Sequence, residues 1–280
     1  MKEYLDICRS VLDSGVYKSN RTGKNTLGNI GAYAEYNLNK GFPIVTTKHT
    51  YWKQSVAEML CFMRGADNDK TFREAGCKVW TANANKNIDW INNPYRRGED
   101  DLGRIYGVQA RRWLGASGEH FDQLKNVYVK LNQNIDNRRL IVSHWNPAEL
   151  NQMALPPCHL LYQFGLQGDR LHLSMNQRSC DLPLGVPFNV VGYAWLLQVM
   201  AQITNHKVGS LHHFMHDVHI YDDQIELMWE QLDRKPLKLP TLNINPSIKS
   251  LHDLTSWVTV DDFNLSGYEH HPAINYPFSV

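Results

Sequence analysis

The sequence predicts a globular chain that mixes α-helices with β-strands, and three observations lead to this class. Apolar residues recur at helical spacing near the N-terminus, and Gly15 follows them as a helix end. An apolar stretch at about 189–205 predicts a central buried helix. Two strand-like segments, HLLYQFGL at 159–166 and RLHLSMNQ at 170–177, are separated by a short polar turn. With 280 residues and 42% hydrophobic composition, the chain can bury a large core.

Further elements are predicted between these landmarks. A helix is expected over residues 51–63, ended by Gly65, and it carries Glu58 among apolar residues, so this carboxyl is expected to be partly buried. Another helix is expected over 121–131, since Phe121 and the apolar residues after it follow a helical period. The segment RLIVSHW at 139–145 predicts a strand.

The segment 81–101 differs from the rest of the chain in composition. It is polar, rich in Asn and without a sustained period, while apolar patterning resumes directly on both sides. We therefore expect an excursion or lid on one domain that spans residues 1–280, rather than a linker between two domains.

Charge and hydropathy exclude several classes of partner. The 29 Lys and Arg residues nearly balance the 28 Asp and Glu residues, so no overall field attracts the chain to nucleic acid or to an acidic membrane. Any bound anion must therefore be met by a local basic cluster. The apolar segment at 190–203 is shorter than the roughly 20 residues of a membrane span, and the N-terminus does not resemble a secretory signal. A cytoplasmic protein is expected.

The cysteines and histidines do not predict a metal site. Five scattered cysteines, none in a CxxC pair, argue against a disulfide framework and against a thiolate metal centre. Four histidines lie close together in LHHFMHDVHIY and raise the question of a metal, namely His212, His213, His216 and His219. This segment is predicted to be extended, which would point its side chains to both faces, and no HExxH motif occurs.

Cys158 stands in the stretch LPPCHLLYQF, directly after two prolines. A buried packing role is one interpretation, because free cysteine behaves as a small hydrophobe. Folding the chain back about Gly168 and Asp169 places Cys158 opposite Arg178 and Ser179, with an uncertainty of a residue or two in register. An arginine beside a thiol favours the nucleophilic thiolate, and arginine with serine suits a phosphate. A salt bridge from Arg178 to an acidic residue is the alternative.

A series of motifs in chain order resembles the thymidylate synthase family, and the match runs from about Tyr4 to Val280. The motifs are NRTGKNTL from Asn20, FPIVTTK from Phe42, YGVQ from Tyr106, NRR from Asn137, WNPAEL from Trp145, ALPPCH from Ala154, QRSCD from Gln177, LGVPFN from Leu184 and DVHIYDDQ from Asp217. The resemblance implies a single α/β (α+β) domain with a large mixed β-sheet flanked by helices. It also implies a homodimer that pairs sheet against sheet.

The resemblance further implies a substrate and a nucleophile. Cys158 would add to C6 of the uracil of dUMP and turn C5 into a carbon nucleophile. The side chains implied for the 5′-phosphate are Arg21, Arg178, Ser179 and, reaching across from the partner subunit, Arg138 and Arg139. Asn189 would read the uracil edge, because an amide both donates and accepts hydrogen bonds. Nucleic acid would not be needed for catalysis.

Other positions carried over from the family surround the base, the sugar and the cosubstrate 5,10-methylenetetrahydrofolate. Glu58 would organise water and proton transfers, with Tyr106 and His159 ordering the site around it. His219 and Tyr221 would meet the sugar hydroxyl. Asp181 would meet the pterin, and the tail YPFSV, including Ser279, would close over the complex. The apolar walls of the folate site would be Trp80, Leu155, Leu184, Gly185 and Phe188.

The sequence departs from the family pattern at Thr81, where Asp is usual, at Ala110, where Trp is usual, and in its tail. A loosened wall beside the folate would admit water to the exocyclic methylene intermediate, and the product would then be 5-hydroxymethyl-dUMP. We expect reductive methylation to dTMP, with dUMP hydroxymethylase as the alternative. A silent relative that binds nucleotide or RNA is a further alternative, against which the intact Cys158, Glu58 and Asn189 argue.

Overall fold

A computed structural model describes residues 1–20 and 23–278 of the chain. A six-stranded mixed sheet forms its centre, in the order β1-β2-β8-β7-β6-β5. The β7–β8 pair is parallel and the other pairs in this sheet are antiparallel. The strands of this sheet are β1 Val16–Lys18, β2 Thr26–Asn37, β5 Ile141–Ser143, β6 His159–Gln167, β7 Arg170–Asp181 and β8 Lys207–Tyr221.

Helices flank the sheet, and two small hairpins complete the fold. The hairpins pair β3 Trp113–Leu114 with β4 His120–Phe121, and β9 Thr241–Ile244 with β10 Phe263–Ser266. The helices are α1 Lys2–Ser14, α2 Trp52–Met63, α3 Asp69–Glu74, α4 Thr81–Asn85, α5 Ile88–Ile91, α6 Tyr106–Arg111, α7 Gln123–Asn132, α8 Gly185–Ile203, α9 Ile225–Asp233 and α10 Leu251–Ser256. The expected α/β class with a large mixed sheet is confirmed.

Helix α8 is the centre of the core. It has the length and hydropathy of a membrane span, but 78% of its apolar window is buried inside the protein, where it packs on β7, β8 and α2. It begins at Gly185, four residues before the predicted start. Pro187 is tolerated there because the first backbone N–H groups of a helix have no partner within the helix.

The predicted hairpin of β6 and β7 is present, and its register differs from the predicted one at a single β-bulge. Gly168 takes a φ of 63° in the two-residue turn, and Gln167 pairs with Arg170. A register shift between His159 and Leu161 moves the pairing by one residue at the far end. Arg178 therefore lies directly opposite Cys158, and its backbone N–H donates to the Cys158 carbonyl at 2.9 Å.

The predicted helix over 121–131 begins later than expected. Phe121 lies in β4 and is exposed, so its assignment to the helix is wrong. Asp122 is the reason, because its side chain accepts the Lys125 N–H and caps the helix that starts at Gln123. Helix α2 matches its prediction within one residue, and the strand predicted over 139–145 shortens to β5.

The polar segment 81–101 folds into two short helices, α4 and α5, joined by turns. Trp90 is its buried anchor, and the indole N–H donates to the Asp101 carbonyl at 2.7 Å. Helices of four or five residues are too short to show a sequence period, which explains the irregular pattern. Several polar side chains of this segment border a cleft that also contains Cys158.

Candidate active site

A cleft of about 890 Å³ opens where β6 begins and where β7 and β8 end. Of the residues predicted for the site, six line it, namely Leu155, Cys158, Arg178, Ser179, His219 and Tyr221. The segment 81–101 contributes Trp90 and polar side chains to the same cleft. Residues predicted from the cysteine hairpin and from the DVHIYDDQ motif therefore share one cavity.

Cys158 has the surroundings of a nucleophile. The other four cysteines are buried, whereas Cys158 is partly exposed at the cleft. The Arg178 Nη2 atom lies 3.9 Å from the Cys158 Sγ. The predicted arginine–thiol contact is thus present, and a guanidinium at this distance stabilises a thiolate over a thiol.

The two prolines before Cys158 orient this arginine. The Arg178 Nε donates to the Pro157 carbonyl at 2.8 Å, and Nη2 donates to the Pro156 carbonyl at 3.0 Å. The guanidinium also lies over the Trp145 ring, 5.5 Å from its centroid. Because these contacts use carbonyls and a ring, Arg178 keeps its charge available to the thiol and to an anion in the cleft.

A second charged group lies at the end of β8 that borders the cleft. The Asp217 carboxylate forms an ion pair with Lys18 Nζ at 3.3 Å, and its Oδ1 lies within hydrogen-bond distance of His219 Nδ1, at 3.0 Å. Ser179 pairs with Asp217 across the parallel strands. Lys18 and Asp217 are not among the site residues predicted from the sequence, although Asp217 precedes His219 by two positions and so shares its strand face.

Glu58 is buried on α2, more completely than expected. The Trp80 indole N–H donates to its Oε1 at 2.9 Å. Burial raises the pKa of Glu58 from its ordinary value to about 8, against the opposing effect of the Trp80 hydrogen bond. The carboxyl is therefore mostly protonated at neutral pH, yet close enough to titration to exchange a proton. Neither Glu58 nor Trp80 is among the described residues that line the cleft.

Tyr106 and His159 lie beside Cys158. The Tyr106 hydroxyl accepts a hydrogen bond from the Cys158 backbone N–H at 2.6 Å. The centroids of the Tyr106 and His159 rings lie 5.1 Å apart. Burial, with a smaller effect of His144, lowers the pKa of His159 to about 3, so its imidazole is neutral. Asn189 lies in α8, and its Oδ1 accepts a hydrogen bond from the Gln177 Nε2 at 3.0 Å.

The residues predicted for the folate site lie around the start of α8. The Asp181 Oδ1 accepts the Leu184 N–H at 3.2 Å, and burial raises the pKa of Asp181. Gly185 and Phe188 follow in the first turn of α8. Two of the predicted walls lie elsewhere, since Trp80 packs against Phe62 and Tyr106 and Leu155 lines the cleft.

Four further predicted site residues form two pairs. Arg21 and Ser279 lie outside the described residues. Arg138 and Arg139 are exposed on the turn before β5 and do not line this protomer's cleft. Within residues 1–20 and 23–278, no group of three or more His, Cys, Asp or Glu side chains is arranged to hold a metal ion.

Comparison with known proteins agrees with this geometry. The family model described as thymidylate synthase matches residues 2–280. The chain belongs to the thymidylate synthase family. It is 50% identical over 283 aligned residues to the thymidylate synthases of Aliivibrio fischeri, Shewanella halifaxensis and Vibrio parahaemolyticus, and each alignment covers 100% of both chains.

Two of the departures from the thymidylate synthase pattern, at Ala110 and Thr81, occupy different environments. Ala110 is buried in α6 and borders a water-sized internal cavity of about 10 Å³ between α2, α7 and α8. Ala110 is not among the described residues that line the cleft. Thr81 begins α4, and its buried Oγ1 has no hydrogen-bond partner. Of the two positions, Thr81 is thus the one that leaves a polar atom unsatisfied.

Proposed function

We propose that the chain catalyses the reductive methylation of dUMP to dTMP with 5,10-methylenetetrahydrofolate as cosubstrate. The observation that carries the proposal is the Arg178 guanidinium 3.9 Å from the partly exposed Sγ of Cys158, in a cleft large enough for a nucleotide and a second ligand. The family and the names of its relatives support the same reaction.

Cys158 supplies the covalent step. Its thiolate adds to C6 of the uracil, forming a C–S bond, and the electron pair of the C5–C6 double bond moves toward C5 and O4. The folate cosubstrate supplies the one-carbon group and then the hydride. The C5 proton is lost before the hydride arrives, and elimination of the Cys158 thiolate then forms the C5–C6 double bond again and releases dTMP. Arg178 stabilises the thiolate at the beginning and the end of this sequence.

The neighbouring polar groups handle protons and orientation. Glu58, with its pKa near 8, can give a proton to O4 or to an ordered water as charge develops, and can take it back at a later step. Tyr106 holds the backbone of Cys158 through its hydroxyl, so the thiol keeps its direction. His219, supported by Asp217, and Tyr221 face the cleft where the sugar hydroxyl would lie.

The phosphate would bind at the basic end of the cleft. Arg178 and Ser179 offer a planar donor fork and a hydroxyl, and Lys18 adds a positive charge nearby. Arg21 is proposed to join them, together with Arg138 and Arg139 of a second subunit. This arrangement meets a dianion locally although the chain is nearly neutral overall.

The proposed partner is a second copy of the chain, since members of the family are typically homodimers. The outer face of the large sheet carries exposed Ile30, Tyr33 and Phe214, and the Tyr33 and Phe214 rings lie 5.0 Å apart. A face of this kind is suited to pairing sheet against sheet. Arg138 and Arg139, exposed in one protomer, would then reach the partner's cleft.

Subunit mixing tests this shared site. Cys158→Ala and Arg139→Ala are each expected to be nearly inactive alone. Refolded together, they form mixed dimers in which one cleft has both groups intact, and activity should recover to about a quarter of the wild-type value. No recovery with demonstrated dimer exchange would contradict the cross-subunit role of Arg139. Mixing Cys158→Ala with itself is the control.

The alternative product is 5-hydroxymethyl-dUMP, and Thr81 is the residue that motivates it. Its unsatisfied hydroxyl could hold a water near the folate wall, but the relatives that share half of the sequence are named thymidylate synthase. A silent nucleotide- or RNA-binding protein is a further alternative, and the polar network around Cys158 disfavours it.

Product analysis separates these functions. The protein is incubated with dUMP and 5,10-methylenetetrahydrofolate, the nucleotide is identified by mass, and dihydrofolate is followed by absorbance. We expect dTMP and dihydrofolate in equal amounts. Hydroxymethyl-dUMP with tetrahydrofolate would contradict methylation, and dUMP binding without turnover would support the silent alternative.

The proposed location is the cytoplasm. The helix with the hydropathy of a membrane span, α8, is the core helix of the domain. Both proposed substrates are small and water-soluble, so no membrane partner is needed. Recovery of the activity in a membrane fraction would contradict this location.

A further inference from the structure

His213 is a buried histidine that the proposed mechanism does not use. It lies on the inner face of β8, with 0% of its surface exposed. Its Nε2 atom lies 2.9 Å from the Oε1 of Gln177 on β7. The other ring nitrogen, Nδ1, is buried without a partner. The one polar contact of the ring is therefore directed at the Gln177 amide.

Gln177 connects this histidine to Asn189. The Gln177 Nε2 donates to the Asn189 Oδ1 at 3.0 Å and to the Ser179 backbone carbonyl at 2.9 Å. A backbone carbonyl can only accept, so the NH₂ group of Gln177 must face Ser179 and its oxygen must face His213. Burial, with a smaller effect of His159, lowers the pKa of His213 to about 3, so the ring is neutral and has one N–H. That N–H must be at Nε2, where it donates to the Gln177 oxygen.

The direction of the hydrogen bonds from His213 through Gln177 to Asn189 determines which polar groups Asn189 offers to a ligand. With Oδ1 turned toward Gln177, the Asn189 amide keeps one lone pair of Oδ1 and the NH₂ group for a ligand. Uracil offers N3–H as a donor and O4 as an acceptor, which matches this pair. Cytosine offers N3 as an acceptor and its amino group as a donor, so it meets the same amide with both roles reversed.

We propose that His213 is a positioning residue that, through Gln177, holds the Asn189 amide in the orientation that accepts uracil and rejects cytosine. The inference rests on the proposed function, because it takes Asn189 as the residue that reads the base. Removing the His213 N–H leaves the Gln177 oxygen buried without a donor, and the Ser179 carbonyl alone then holds the two amides in this direction, so the preference weakens.

Binding of dUMP and dCMP to designed variants tests the role. The measured quantity is the ratio of the dCMP to the dUMP dissociation constant, obtained by calorimetry without folate. His213→Leu should lower this ratio at least about tenfold. His213→Gln, which places an amide N–H near the Nε2 position, should keep it within about threefold. Leu211→Ala, a buried neighbour on the same face of β8, should lower Tm and leave the ratio unchanged.

The outcomes separate this inference from the function it rests on. An unchanged ratio in His213→Leu, or an equal fall in Leu211→Ala, would overturn the positioning role while leaving dUMP turnover intact. Failure of the wild-type protein to bind dUMP would overturn the proposed function and this inference with it. Nitrogen-15 NMR of the wild-type protein needs no variant to fold, and a His213 proton on Nδ1 instead of Nε2 would also refute the role.

Discussion

Replacing Cys158 with alanine should abolish dTMP formation and leave dUMP bound. The variant loses the atom that forms the C–S bond to C6, and no other partly exposed cysteine is present to replace it, since the remaining four are buried. We expect turnover to fall at least about 10⁴-fold, as for other enzymes that lose their nucleophile. The measurement is single-turnover product formation, with the dUMP dissociation constant determined in parallel.

Cys180→Ala is the matched control for this prediction. Cys180 lies on β7, close to Arg178, but it is fully buried and burial raises its pKa above the ordinary range. Such a thiol is inert, so the control should lose some stability and keep most of its turnover. Residual methylation by Cys158→Ala within tenfold of the wild-type rate would refute Cys158 as the nucleophile.

Replacing Glu58 with glutamine should lower turnover by roughly 10²–10⁴-fold, the usual contribution of a positioned acid or base. Glutamine has nearly the same shape and can still accept the Trp80 N–H, but it cannot exchange a proton. The dUMP dissociation constant should therefore change little while kcat falls. A weaker dUMP complex with unchanged kcat would contradict the proton-transfer role.

The same variant should change how stability depends on pH. The pKa of Glu58 is 4.5 in its ordinary environment and about 8 in the folded protein, so the folded state holds the proton more tightly than the unfolded chain. This contribution to stability is fully present below pH 4.5 and is lost as pH rises through 8. Between pH 5 and 8.5 the free energy of unfolding of the wild-type protein should fall by about a few kcal/mol. The free energy of unfolding of Glu58→Gln should not show this fall. Urea unfolding at both pH values measures the difference, and parallel pH profiles would contradict the raised pKa.

Elements with strong local signals were predictable from the sequence. The strands of the β6–β7 hairpin alternate and meet at a Gly-Asp turn, so the approach of Arg178 to Cys158 followed from pairing alone. The bulge near His159 was not predictable, because a register shift of one residue depends on packing against other elements. The start of α7 was misplaced because a capping aspartate overrode the apolar period at Phe121.

Other parts of the candidate site depend on contacts between distant segments. Lys18 meets Asp217 only because β1, β2 and β8 are neighbours in the sheet, and no local pattern of the chain encodes that order. The segment that contains His213 was predictable as extended, but the hydrogen bond from His213 to Gln177 requires the parallel pairing of β7 and β8. The residue types of the site are predictable from the sequence, whereas tertiary packing determines which of them are in contact.

The parallel pairing of β7 and β8 also has a consequence for folding. Parallel neighbours cannot be joined by a tight turn, and here the connection between them contains the whole of α8. The contacts that bring Ser179, Asp217 and His219 to one sheet edge are therefore far apart in sequence, and such contacts form late in folding. A chain that has only collapsed, or that has formed only its hairpins, has no assembled cleft. Catalytic activity in this protein should thus report completed folding rather than partial structure.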